Sequence, residues 1–108
     1  MQYISGRVIQ VEKKVVINKD NYTFSTIVFV IKKKMDGKFR NIRFECFGKL
    51  ADKICKEVRI EDRIEVKYYI NSKLKSNNWY TTLHAKDFEK IARPPKVKDE
   101  KQLNFYEL

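Results

Sequence analysis

Residues 42 to 50 read Ile42-Arg43-Phe44-Glu45-Cys46-Phe47-Gly48-Lys49-Leu50, and they change period at Gly48 with no linker between the two patterns. Before the glycine, side chains alternate at period 2, which sets Ile42, Phe44 and Cys46 on one side of a strand and Arg43, Glu45 and Phe47 on the other. After it, Leu50, Ala51, Ile54, Cys55 and Val58 recur at three- and four-residue steps. That spacing predicts a helix of two to three turns with one buried stripe, whose exposed side holds Lys49, Asp52, Lys53 and Lys56. A strand that exits directly into a short helix restricts the topologies open to a chain of 108 residues.

The flanking segments are strands joined by short turns. Residues 3 to 17 predict a long first strand, with Gly6 at a point where it bends or is closely approached by another backbone. The cluster Asn18-Lys19-Asp20-Asn21 is a turn. Residues 22 to 33 predict a second strand with Ile27, Phe29 and Ile31 on one face. Asp36-Gly37 marks a hairpin into the third strand, 39 to 47. Alternation resumes at Arg63, where Ile64, Val66, Tyr68 and Ile70 oppose Glu65, Lys67, Tyr69 and Asn71 in a fourth strand. Residues 73 to 78 read as a basic loop, and Trp79 to Phe88 as a fifth strand with Leu83 and Ala85 inward. A single bulge there would reverse the facing of Trp79.

Three strands, a helix and two further strands match the order of the OB-fold, a five-stranded Greek-key barrel with one short helix between strands three and four. An SH3-like barrel would not normally carry that helix. The expected organisation is one domain over residues 1 to 91 and a flexible tail over 92 to 108, which has two prolines, no periodicity and an apolar end at Asn104 to Leu108.

Twenty-four Lys and Arg against 14 Asp and Glu leave a formal net charge of +10, which favours a polyanionic partner. Eighteen of the cations are Lys, a composition suited to diffuse phosphate contact more than to bidentate reading of base edges. Cys46 and Cys55 lack metal-ligand spacing and read as reduced packing residues, so no metal or other cofactor is expected. The amino terminus does not read as a signal peptide, and no apolar run reaches the ~18 residues of a membrane span. A cytoplasmic protein without a membrane partner is the expectation.

Catalysis finds no support. His84 is the only histidine and reads as a strand-surface residue. No Ser/His/Asp set, H-E-x-x-H or phosphate-cradling Gly-rich loop is present. Glu61-Asp62 and Asp99-Glu100 read as solvated acids.

Four short stretches resemble bacterial and phage single-stranded DNA-binding proteins of the OB-fold type. They are Ile4-Ser5-Gly6-Arg7-Val8, the run Arg43 to Ala51, Asp62-Arg63-Ile64-Glu65-Val66, and Trp79-Tyr80-Thr81-Thr82. The chain is also similar to an OB-like domain of small uncharacterised bacterial and phage proteins that share a Trp-Tyr or Trp-Phe pair at that last position. The likeness covers roughly residues 3 to 91. It implies single-strand binding by base stacking and phosphate neutralisation, usually by a homo-oligomer, during replication, recombination or repair. Such a protein would be nucleoid-associated, or in the host cytoplasm if phage-encoded.

The family's stacking phenylalanine falls on Phe47 and its basic neighbour on Arg43. Two departures stand out. Asn41 replaces an aromatic common at the start of the third strand, with Phe39 two residues earlier on the same face. The acidic tail tip through which the family recruits replication proteins is absent.

A sequence-tolerant single-strand site needs flat rings separated by cations. The candidates are Phe39, Arg43 and Phe47 on the third strand, and Lys67, Tyr69 and Lys73 on the fourth. Lys32, Lys34 and Arg40 surround the first hairpin, and Lys75, Trp79 and Tyr80 flank the basic loop. Phe24, Phe29, Phe44 and Tyr68 are assigned to the core. RNA competes as a ligand, since stacking and phosphate contact do not distinguish the sugars. The rival from another class is an assembly subunit whose exposed aromatics are buried between copies.

Overall fold

The computed structural model describes residues 1–91, and the expected tail lies outside the described residues. The elements are β1 (Gln2–Val11), β2 (Val15–Lys19), β3 (Tyr22–Met35), β4 (Lys38–Phe47), α1 (Lys49–Glu57), β5 (Arg63–Lys75) and β6 (Asn78–Ile91). They pair in the order β1-β5-β6-β4-β3-β2, and β1 pairs also with β3, which closes the sheet into a barrel.

β1 and β2 both run antiparallel along β3, from Arg7 opposite Lys32 to Lys19 opposite Tyr22. The long first strand is therefore present but broken across residues 12 to 14, where the polar run Glu12-Lys13-Lys14 leaves the sheet. Glu12 N–H still donates to the Val28 carbonyl at 2.9 Å, so the two halves keep one course along β3. Counted as one broken strand, β1 and β2 make this the five-stranded OB barrel, with its helix between the third and fourth strands.

The alternating residues fill the barrel. Phe29 and Phe44 stack with ring centroids 5.2 Å apart, among buried Val8, Ile27, Ile31, Ile64 and Val66. Each such side chain contributes roughly 1.5–3 kcal/mol when removed from water. α1 adds Ala51 and Ile54 from its apolar stripe, with Val58 following at its C-cap. Cys46 is buried, which pushes its thiol up to about 12 and makes it a packing group. Cys55 is exposed, contrary to the packing role expected of it, because the stripe that meets the barrel runs through Ala51, Ile54 and Val58.

Two glycines are needed where they stand. At Gly6, β1 passes between β3 and β5, and a Cβ would come within 2.8 Å of the Lys32 carbonyl oxygen. Gly48 has φ 68 and ψ −139, a conformation close to the Gly-only region, and its N–H donates to the Ser25 carbonyl at 2.8 Å. This turn lets the chain pass from β4 into α1 without a linker.

Asp62, read from the sequence as a solvated acid, is buried. Its carboxylate accepts the Arg59 N–H at 2.9 Å and lies 3.6 Å from Lys90 Nζ, which ties the turn after α1 to the end of β6.

Both long hairpins turn through two residues with positive φ, Asp36-Gly37 (51 and 77) and Ser76-Asn77 (50 and 64). The first is the turn expected from Asp-Gly. The second replaces the expected loop over 73 to 78: Lys73, Leu74 and Lys75 are strand residues, and the β5–β6 hairpin continues past the barrel wall. For that reason Ile70, expected inward, is 51% exposed. Among the described residues no helix is long and apolar enough to cross a membrane.

Candidate nucleic-acid interface

The register of three strands assembles a row of rings. β4 and β6 meet in parallel with Glu45 beside His84, and β5 and β6 place Tyr69 opposite His84. Cross-strand partners share a face, so Phe47, His84 and Tyr69 all point out of the barrel. The His84 ring stacks on Tyr69 at 5.0 Å with 19° between planes and lies 5.5 Å from Phe47. β3 extends the row, because Thr26 pairs with Phe47 and carries Phe24 on the same face. Phe24 meets Phe47 edge-on at 6.2 Å, and Tyr22 meets Phe24 at 6.2 Å. Five rings thus cross four strands, with Lys86 Nζ 5.7 Å from the Tyr69 centroid at one end.

Half-buried and open rings alternate along the row. Phe24 and His84 are half-buried, whereas Tyr22, Phe47 and Tyr69 are exposed. His84 Nδ1 is buried with no hydrogen-bond partner among the described residues. Beside the row lies a pocket of about 400 Å³, lined by Phe47 and His84, by Asn71, Lys73 and Lys75 of β5, and by Tyr80 and Thr82 of β6, with Glu45 at its edge. Flat rings, lysines and small hydrogen-bonding side chains on one concave surface can stack bases and neutralise phosphates together.

The structure divides the residues singled out from the sequence. Phe47, Tyr69, Lys73, Lys75 and Tyr80 come together in this site. Lys32, Lys34 and Phe39 form a second group at the far end of β4, where both ammonium groups lie over the Phe39 ring at 5.5 and 5.9 Å. Arg43 stands between the groups and donates to Glu45 at 2.8 Å, which neutralises the acid that the sequence placed on this face. Arg40 pairs with Lys33 on the opposite face of the first hairpin from Phe39. Lys67 lies over Tyr3 at 6.0 Å and beside Glu65, Asp87 and Glu89, away from the rings. Trp79 pairs with Leu74 on the face of the β5–β6 hairpin opposite Tyr80 and Lys73, and it is 69% exposed.

Two members of the row were read differently from the sequence. Phe24 was assigned to the core and His84 to an ordinary strand surface. A usable signal for His84 was the Ser76-Asn77 pair: taken as a two-residue turn, it sets Lys75 opposite Asn78 and, counting back, Tyr69 opposite His84. The reversal that a bulge can impose occurs lower on β6, at Lys86, which is why both Ala85 and Phe88 face inward.

No protein-family model matches the sequence, and no curated protein matches it. Two solved structures share the fold over most of both chains. The mitochondrial single-stranded DNA-binding protein Rim1 of S. cerevisiae superposes with a TM-score of 0.57 at 13% identity, covering 86% of this chain and 95% of its own. A small single-stranded DNA-binding protein from Streptomyces coelicolor superposes with a TM-score of 0.51 at 12% identity, covering 83% and 92%. The chain has the OB fold of these proteins. At such identity the likeness is one of architecture, and the residues of the candidate site rest on their own geometry.

Proposed function

We propose that this protein binds single-stranded DNA without sequence preference, stacking bases on the row Phe24–Phe47–His84–Tyr69 and contacting phosphates through Lys73 and Lys75. The observation that carries this reading is the row itself: side chains from four strands place their rings on one outward face beside a pocket containing two lysines. A duplex hides the faces of its bases, whereas a single strand offers them to such a surface. Acting as a non-enzymatic homo-oligomer in the cytoplasm, it would coat exposed strands in replication, recombination or repair, with single-stranded RNA as the competing ligand. Both solved structures described above are named for single-stranded DNA binding, which supports this reading.

Fluorescence polarisation with a labelled oligothymidylate and a duplex of equal length tests it. The expected result is clear preference for the single strand, lost on Phe47→Ala and retained on Trp79→Ala. Equal, salt-erased binding to both ligands would reduce the site to a basic surface.

One observation favours the assembly reading as a second function. Ile70, Leu74 and Trp79 form an exposed apolar strip on the reverse face of the β5–β6 hairpin, away from the rings. Trp79→Ala that dissociates an oligomer while leaving single-strand affinity intact would assign that face to protein contact.

A further inference from the structure

At the end of the barrel away from Phe47, three cations stand side by side across three strands. Arg63 of β5 lies directly opposite Arg7 of β1, and Arg7 lies directly opposite Lys32 of β3. Directly opposed residues share a face with Cβ atoms about 4.5–5.5 Å apart, and like charges in that relation destabilise the sheet. The row opens onto a pocket of about 380 Å³ whose other lining residues include Lys33, Lys34 and Phe39, and among the described residues no acidic side chain lines it. Among the described residues one acid reaches the row from outside: Glu61 accepts from Arg7 Nη1 at 2.9 and 3.0 Å. A single carboxylate against three aligned cations leaves the row under-compensated.

Local conflicts of this kind persist where the surroundings over-determine them, and they mark functional positions. A ligand carrying several oxyanions would remove the conflict. Phe39, with lysines over its ring, adds a flat apolar surface beside the charges.

We propose that Arg63, Arg7 and Lys32 form a second phosphate-binding surface, which holds the phosphodiester backbone of a bound strand beyond the aromatic row. Phe39 and Phe47 are eight residues apart on β4, roughly 26 Å at about 3.3 Å per residue. A strand contacting both ends is therefore held over the length of the barrel, with Arg43 and Glu45 neutralising each other between them. The inference deepens the single-strand reading, but only its DNA measurements rest on that reading.

The test uses Arg63→Gln, because Arg63 is exposed and no hydrogen bond or ion pair of its side chain stands among the described residues. Inorganic tripolyphosphate supplies the phosphate chemistry without bases. It should raise the melting temperature of the parent protein and of Phe47→Ala. The shift should vanish in Arg63→Gln and return in Arg63→Lys, while Lys13→Gln, the same charge change at a distant exposed site, keeps it. Without ligand, Arg63→Gln should melt at or above the parent temperature, since it relieves repulsion. With an oligothymidylate of about 30 nucleotides, it should bind roughly 5- to 10-fold more weakly at low salt, with a salt slope shallower by about 0.7.

An equal tripolyphosphate shift in Arg63→Gln and the parent would overturn the proposal, since diffuse charge would then explain binding. So would a lower melting temperature of the unliganded variant. If the parent binds no DNA while the Arg63-dependent tripolyphosphate shift persists, the phosphate surface stands and the single-strand function falls.

Discussion

Phe47 and Phe39 mark the two ends of β4, and the surfaces around them are built on opposite principles. Around Phe47 the rings contact one another at 5.0 to 6.2 Å, so the surface is partly satisfied before any ligand arrives. Around Phe39 the cations Arg63, Arg7 and Lys32 are set against one another, so the surface is strained until a counter-charge arrives. Ring stacking adds about 0.5–1.5 kcal/mol per pair beyond area burial, whereas opposed like charges subtract a comparable amount. One end is thus pre-organised by its own packing. The other gains most from its ligand.

Salt separates the two ends most strongly. If about five phosphates are neutralised, a single-strand slope near −0.7 per contact lowers affinity about 100-fold between 50 and 200 mM salt. Titrating the polarisation signal across that range should leave a residual affinity that belongs to the rings, and Phe47→Ala should abolish that residue.

Phe47→Ala itself should lower affinity roughly 30-fold, because a stacked base is worth about 1–3 kcal/mol. Polarisation measures the loss, and size-exclusion chromatography should show the oligomeric state unchanged. An altered oligomer would transfer Phe47 to an assembly interface and remove the contrast between the two ends.

Gly48→Ala acts on the aromatic end through the backbone. With φ 68 the position disfavours an L side chain, and the substitution should destabilise the fold by about 1–3 kcal/mol, read as a lower melting temperature. Single-strand affinity should fall with it, since Gly48 sets the exit of Phe47 from β4. Tripolyphosphate stabilisation at the cationic end should persist.

The smallest effect is electrostatic. The Ser25 hydroxyl and then Lys14 hydrogen-bond Asp52 and hold its carboxyl below the usual carboxylate range. A depressed value stabilises the fold above the ordinary range, and the contribution is lost as pH falls through the folded value. Asp52→Asn should therefore flatten the acid side of a melting-temperature profile slightly, because the pair is exposed, and it should leave DNA binding unaltered.

Much of the barrel is legible in the chain because burial writes a period into the sequence. The β4 residues Phe44 and Cys46 face the core as their alternation requires, Ala51 and Ile54 form the buried stripe of α1, and Asp36-Gly37 makes the hairpin turn its dipeptide demands. Period and turn chemistry are local, so nine consecutive residues suffice to place Phe47 outward. The same local rules misread Ile70 and leave the facing of Trp79 open. Alternation states which face a side chain takes but not where along a hairpin the barrel wall ends.

The candidate site shows the same division. Phe47, Tyr69, Lys73, Lys75 and Tyr80 were readable as outward rings and cations. That His84 lies between Phe47 and Tyr69, that Phe24 supports Phe47, and that Arg63, Arg7 and Lys32 stand in line all depend on register between strands far apart in the chain. Periodicity along each strand was determined by the sequence alone, because side-chain direction is a property of the local backbone. Adjacency between strands not joined by a two-residue turn was decided only by the closed barrel, because one residue of slip or one bulge, as at Lys86, changes every cross-strand neighbour beyond it.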